Sequence, residues 1–164
     1  MNGKDRISAA LELRQPDCVP IWEMAYNESS IIGIAKHFVD ADDLPEPKLM
    51  MDMSDKERAQ VLGALIAFVR ELDLDGVTAV SLAPRERVDK QHIRDAIGVV
   101  YHLSDFGEPY PVDGPIQDRS DLQGFRLRPP ADTDFLMLDV LRSTFPEKSI
   151  AYHMPATFKL SWTL

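Results

Sequence analysis

Apolar positions along this chain recur first at helical spacing and then in short continuous runs, and that alternation sets out its elements. Ile7, Ala10, Leu11 and Leu13 lie near helical spacing within residues 4–13, and Pro16 stops the helix because its ring forbids continuation. Residues 19–24 then read as a short buried strand, with Pro20 tolerated close to its first position. Residues 28–39 predict a second helix, striped by Ile31, Ile32, Ile34, Ala35 and Phe38, with Ser29 or Ser30 near its cap. A proline- and acid-rich connector, residues 40–48, follows, and Met50, Met51 and Met53 line its exit as packing filler. Ser54 and Glu57 have the spacing of a capping box. Beyond them Val61, Leu62, Leu65, Ile66, Phe68, Val69 and Leu72 keep the helical period. Asp75 and Gly76 are expected to end that helix, and residues 77–81 form a β-branched strand.

The pattern loosens in residues 98–130. Residues 99–103 and 110–112 are strand-like runs separated by residues 105–108, which predicts a hairpin or excursion outside the main sheet. A turn at Gly114-Pro115-Ile116, a short helix at residues 118–123 and the pair Pro129-Pro130 complete it. Helical period returns over residues 133–144 through Leu136, Leu138 and Leu141, and residues 149–154 are a third strand. Helices that feed directly into strands imply right-handed crossovers, hence neighbouring parallel strands with helices packed outside. The expected class is α/β, of barrel or doubly wound type. Three strands would leave two open sheet edges, which invite pairing with another copy or with a complementary half. Residues 155–164 end on an apolar Trp-Thr-Leu without cap or charge run, the expectation being a chain that is the N-terminal part of something longer.

Composition narrows the function classes. The 164 residues are 45% hydrophobic and 27% charged, enough for one domain with a real core. No apolar run approaches the roughly 20 residues that cross a bilayer, and the N-terminus lacks the apolar stretch of a secretory signal. The formal charge of −9 opposes binding to a phosphate backbone, so no nucleic-acid or membrane partner is expected. The acidic clusters at residues 40–43 and 71–75 read as solvated turns. Cys18 is the one cysteine, which excludes an internal disulfide framework and fits a reducing cytoplasm.

The order of helix, Pro16-Asp17-Cys18-Val19-Pro20 and strand resembles the opening of the uroporphyrinogen decarboxylase superfamily. That superfamily joins heme-pathway decarboxylases to corrinoid-linked methyltransferases on a (β/α)8 barrel. Three further segments match in order: the helix–strand unit ending at Ser81, the Gly114-Pro115-Ile116 turn with Asp121 and Leu122, and the closing residues 156–164. The last is similar to the family's "Gly-Pro-Phe…Ala-Trp-x-Leu", with Thr157 in place of proline. The resemblance implies about three βα units of a (β/α)8 TIM barrel spread over residues 1–164, with an N-terminal helix and turn in residues 1–18. Decarboxylases carry "Trp-x-Met-Arg-Gln-Ala-Gly-Arg" at the first strand, where arginines clamp the tetrapyrrole carboxylates. Here the segment reads Trp22-Glu23-Met24-Ala25-Tyr26-Asn27-Glu28, and Glu23 and Glu28 would repel such a substrate. The family's aspartate after a serine is also replaced, since Leu82 follows Ser81, and its later tyrosine falls near Thr163.

The methyltransferase branch is thus the leading expectation: a parent acting on a small methylated compound with a corrinoid protein as partner. Its zinc, held by His-x-Cys and a distal Cys, would come from a C-terminal half, because this chain has neither motif. Tetrapyrrole decarboxylation is the alternative, and a catalytically inactive truncated paralogue or assembly subunit is the non-enzymatic one. In parallel barrels chemistry sits at the C-terminal ends of the strands. That position implicates Glu23, Met24 and Tyr26 after the first strand, Ser81 to Arg85 after the second, and His153 and Met154 after the third. Glu23 would be a hydrogen-bond acceptor or general base, or else a carboxylate paired with a neighbouring cation. His153 would be a general acid or a donor to a methoxy or carbonyl oxygen, or else a satisfied core histidine. Met24, Tyr26, Ser81, Arg85 and Met154 would line the substrate, with Ser81 and Arg85 equally readable as helix caps. His37, His92 and His102 show no ligand spacing, and the Asp105-Phe106-Gly107 turn lacks the glycine-rich loop and lysine of a kinase.

Overall fold

Side-chain caps decide where the first three helices begin in this computed structural model, which describes residues 1–104, 109–154 and 163. Helix α1 (Gly3–Leu11) starts where the Asn2 carboxamide accepts the Asp5 N–H. It stops where Leu13 turns left-handed at φ 57°. Helix α2 (Glu28–Ala35) is capped by Asn27, which accepts from Ser30 N at 2.8 Å. Asn27 is the residue with extended backbone there, so Ser29 and Ser30 lie inside the first turn and are not the cap. The helix also ends before residue 39, in tight turns from His37 to Ile34 and from Phe38 to Ala35. Helix α3 (Asp55–Glu71) opens with the capping box expected of Ser54 and Glu57. Its end is set by Asp73, at φ 46°, and not by Gly76, which is already the first residue of strand β1 (Gly76–Val80).

Strands β2 (Glu86–Arg87), β3 (His92–Arg94), β4 (Val100–Leu103) and β5 (Pro109–Asp113) follow. After the short helix α4 (Asp121–Gly124) and a 3-10 turn come helix α5 (Leu136–Thr144) and strand β6 (Ser149–His153). Strands β1 and β6 pair in parallel, from Gly76 opposite Ser149 to Val80 opposite His153. Strands β2 to β5 form an antiparallel sheet in sequence order. The chain is therefore mixed α/β, with a parallel and an antiparallel sheet and no closed barrel among the described residues.

Two compact units result where length suggested one domain: residues 1–81 with 135–153, and residues 82–134 with Met154 and Thr163 among those described. In the first unit Val61, Leu65, Phe68 and Val69 recur on one face of α3 and pack with Ile31, Ile32, Val77, Ala79, Leu141 and Phe145. Full burial of each such side chain is worth about 1.5–3 kcal/mol against exposure. Strand β1 is buried at four of its five positions, whereas β6 is half-buried throughout.

Residues 19–24 form no strand. Val19, Ile21, Trp22 and Met24 are exposed, and Asp75 N to Ile21 O is the backbone bond by which this extended segment meets the start of β1. Proline at position 20 removes a donor, and side chains take over the tethering that a ladder would supply.

The antiparallel sheet begins at Glu86, well before residue 98, because β2 and β3 are too short to show alternation. Its interior is a turn built on Asp95, whose carboxylate accepts Ile97 N, Val99 N and the Tyr101 hydroxyl, each at 3.0 Å. Burial first, then the Asp95 charge, push the Tyr101 phenol up to about 12. Gly98, at φ 96°, takes a conformation that a side chain would strain, and an added Cβ would also press on Pro115. The hairpin read from residues 99–112 is β4–β5, with an irregular register at Val100 and Tyr101; its connection, residues 105–108, lies outside the described residues. So does the closing segment, Thr163 excepted.

Candidate functional site

The segment ahead of the predicted site is fixed by one guanidinium. Arg6, facing inward from α1, donates from Nε to Asp17 at 2.7 Å and from Nη1 to Asp75 at 2.9 Å. The Asp17 carboxyl, which also accepts the N-terminal ammonium, is held well below its usual range, chiefly by the Arg6 hydrogen bond. Asp75 is buried, and its other carboxylate oxygen accepts Ile21 N at 2.7 Å. Asp75 thus satisfies both polar groups of the Ile21 backbone, one with its own N–H and one with its side chain. Farther along, the Thr78 hydroxyl donates to Glu23 O at 3.1 Å and accepts the Trp22 indole N–H at 3.0 Å. Ile21 meets Asp75 and Glu23 meets Thr78, so this segment runs in the direction of β1.

Glu23, Met24, Tyr26, Ser81 and His153 all belong to the first unit. Val80 and His153 are register partners, which sets Ser81 and His153 at the same end of the parallel pair, the C-terminal end. The Glu23 side chain is exposed and accepts Met24 N at 2.9 Å. Tyr26 packs edge-on to Phe68 with ring centroids 4.8 Å apart. Burial, and secondarily the Glu23 charge, raise its phenol above the usual value, so Tyr26 is a neutral hydrogen-bond donor near an acidic neighbour. Arg85 and Met154 are exposed and belong to the second unit. Two clefts lie elsewhere in the first unit. One of about 380 Å³ is lined by Lys4, Arg142 and Lys148 near the start of β6.

The second unit holds a constellation that spacing along the chain did not reveal. His92 and His102 are register partners on β3 and β4, and Tyr110 lies opposite His102 on β5. His92 Nδ1 lies 2.9 Å from an Asp89 carboxylate oxygen, and His92 Nε2 lies 3.2 Å from His102 Nδ1. Hydrogen bonds from Gln91 N, then His92, lower the Asp89 carboxyl below its usual value, so it is ionised in the neutral range. The signal in the sequence was the strand-like run ending at Leu103, had it been paired backwards onto residues 92–94.

No family model, curated protein or solved structure matches this chain. The residues present do not fit the thiolate zinc that the resemblance implies for a full-length parent. Cys18, the one cysteine, is exposed in the turn after Asp17, and no group of three or more His, Cys, Asp or Glu among the described residues is arranged to hold a metal ion.

Proposed function

We propose that this chain is the opening part of a (β/α)8 barrel of the uroporphyrinogen decarboxylase superfamily, and that its parent takes part in methyl transfer from a small methylated compound. A corrinoid protein is the partner in this reading. The observation that supports it best is a shared direction: residues 21–23, though not a strand, run alongside β1, and β1 pairs in parallel with β6, the direction that successive strands of such a barrel share. The chemistry then falls at their C-terminal ends. Glu23, its carbonyl oxygen anchored by Thr78, supplies an acceptor or base. Tyr26 and His153 supply donors for a methoxy or carbonyl oxygen, and Ser81 adds a hydroxyl at the same end of the parallel pair as His153. Met24 lines the same stretch, while Arg85 and Met154 enter through the resemblance alone. An acidic first segment is a poor seat for a tetrapyrrole bearing many carboxylates, which favours the methyl branch over decarboxylation.

The test is an NMR titration of the full chain with methoxylated aromatics, methylamines and methyl thioethers, and in parallel with uroporphyrin. Saturable shifts at Glu23, Tyr26, Ser81 and His153 with a methylated compound, abolished by His153→Ala, support the proposal. The same shifts with uroporphyrin alone would transfer it to the decarboxylase branch. Silence at all four residues with every compound overturns both.

A further inference from the structure

We infer that His92 and His102 form a cross-strand site for a divalent transition-metal ion, with Asp89 as its outer partner, independently of the methyl-transfer reading. Three observations converge. First, His92 Nε2 and His102 Nδ1 lie 3.2 Å apart. Two nitrogens each about 2.0–2.1 Å from a tetrahedral zinc are separated by about 3.3 Å, so the ion replaces the shared proton with little movement of either ring. Second, Asp89 engages the other nitrogen of His92 at 2.9 Å. That is the carboxylate–histidine arrangement that fixes the tautomer of a metal-binding imidazole, turning the Nε2 lone pair toward His102 Nδ1. Third, both rings are partly exposed on a strand register that holds them together, so neither the ion nor its water must enter a core.

The chain supplies two ligands, and water completes the coordination sphere. Imidazole nitrogens in a site of this openness suit zinc, nickel and copper rather than magnesium or calcium, which take oxygen ligands. Binding displaces the proton between the rings, since the ion takes up the lone pair that the proton occupied. The neighbouring Tyr110 ring, 5.1 Å from His102, closes one side of the row.

Zinc chloride and nickel chloride titrated calorimetrically into the full chain test the assignment. One ion per chain is expected, with proton release. His92→Asn and His102→Asn each abolish it, and Asp89→Asn weakens it about 10- to 100-fold. Cys18→Ser and His37→Asn leave it unchanged. Side-chain ¹⁵N spectra are expected to move at His92 Nε2 and His102 Nδ1 and not at His153. Circular dichroism of the metal-free variants shows whether the sheet is intact, and zinc raises the melting temperature of the parent but not of an intact His102→Asn. Absence of saturable binding overturns the inference, as does binding that survives His102→Asn or follows Cys18.

Discussion

Phe68, Val69 and Val61 of α3 are almost wholly withdrawn from solvent, whereas the second unit buries only Ile93 and Val99 among its described apolar residues. What the second unit has instead is a set of aspartates that accept backbone N–H groups at its turns. Asp89 receives Gln91 and His92, Asp95 receives Ile97 and Val99, Asp118 receives Ser120, and Asp121 receives Gln117 and Asp118. Arg128 and Ala131 N meet on the buried carboxylate of Asp134. A small unit cannot withdraw much apolar surface, so local charge-assisted hydrogen bonds fix its turns. The first unit can spend its polar groups on holding a segment in place, as Arg6 and Asp75 do. The difference teaches where carboxylates and imidazoles already interact: on the antiparallel sheet, at Asp89, His92 and His102.

The sharpest way to break this comparison is Phe68→Ala, which should cost about 3–5 kcal/mol in urea denaturation. Hydrogen exchange is expected to accelerate across α3, β1 and β6 and to leave residues 92–103 near their original protection. Equal loss in both would mean one cooperative structure. Gly3→Ala comes next. A Cβ there would overlap the carbonyl oxygen of Asp75, so α1 must shift from the start of β1. Overpacking of this kind costs about 1–3 kcal/mol, read by the same denaturation curves.

Tyr101→Phe probes the second unit and should cost about 1.5 kcal/mol, the worth of a hydrogen bond to a charged acceptor. In the parent, the raised Tyr101 phenol contributes stability that is complete below 10.0 and lost as pH rises through about 12. Spectrophotometric titration should therefore show one late phenol that the variant lacks. Acid separates the units most finely. Asp89, Asp118, Asp121 and Asp134 in the second unit are lowered by backbone or side-chain hydrogen bonds, as are Asp17 and Glu57 in the first. Lowered carboxyls stabilise above their unfolded values and lose that contribution as pH falls. For Glu57, held at about 2 chiefly by Lys48, the window opens below 4.5. Amide exchange between these limits should show the antiparallel sheet opening before the α3 core; simultaneous opening would remove the distinction.

Legibility followed distance along the chain. The Ser54–Glu57 box was readable because its donors and acceptors are three residues apart, and its helix carried a clear apolar period. Strands β1 and β6 were readable as short apolar runs flanked by polar turns. Residues 19–24 misled because their composition suits a strand while Ile21 N donates to Asp75 and Glu23 O accepts from Thr78, each more than fifty positions away. For the candidate site, strand ends named Ser81 and His153, and only pairing in register set them at one end.

The amino-acid order by itself determined the start of α3, the α/β character and the acidic balance, since these rest on neighbours within a turn or on composition. The tertiary structure alone decided that Arg6 bridges Asp17 and Asp75 and that His92 stands beside His102. Both depend on which strand or segment lies next to which, a choice made by burial and register over the whole chain.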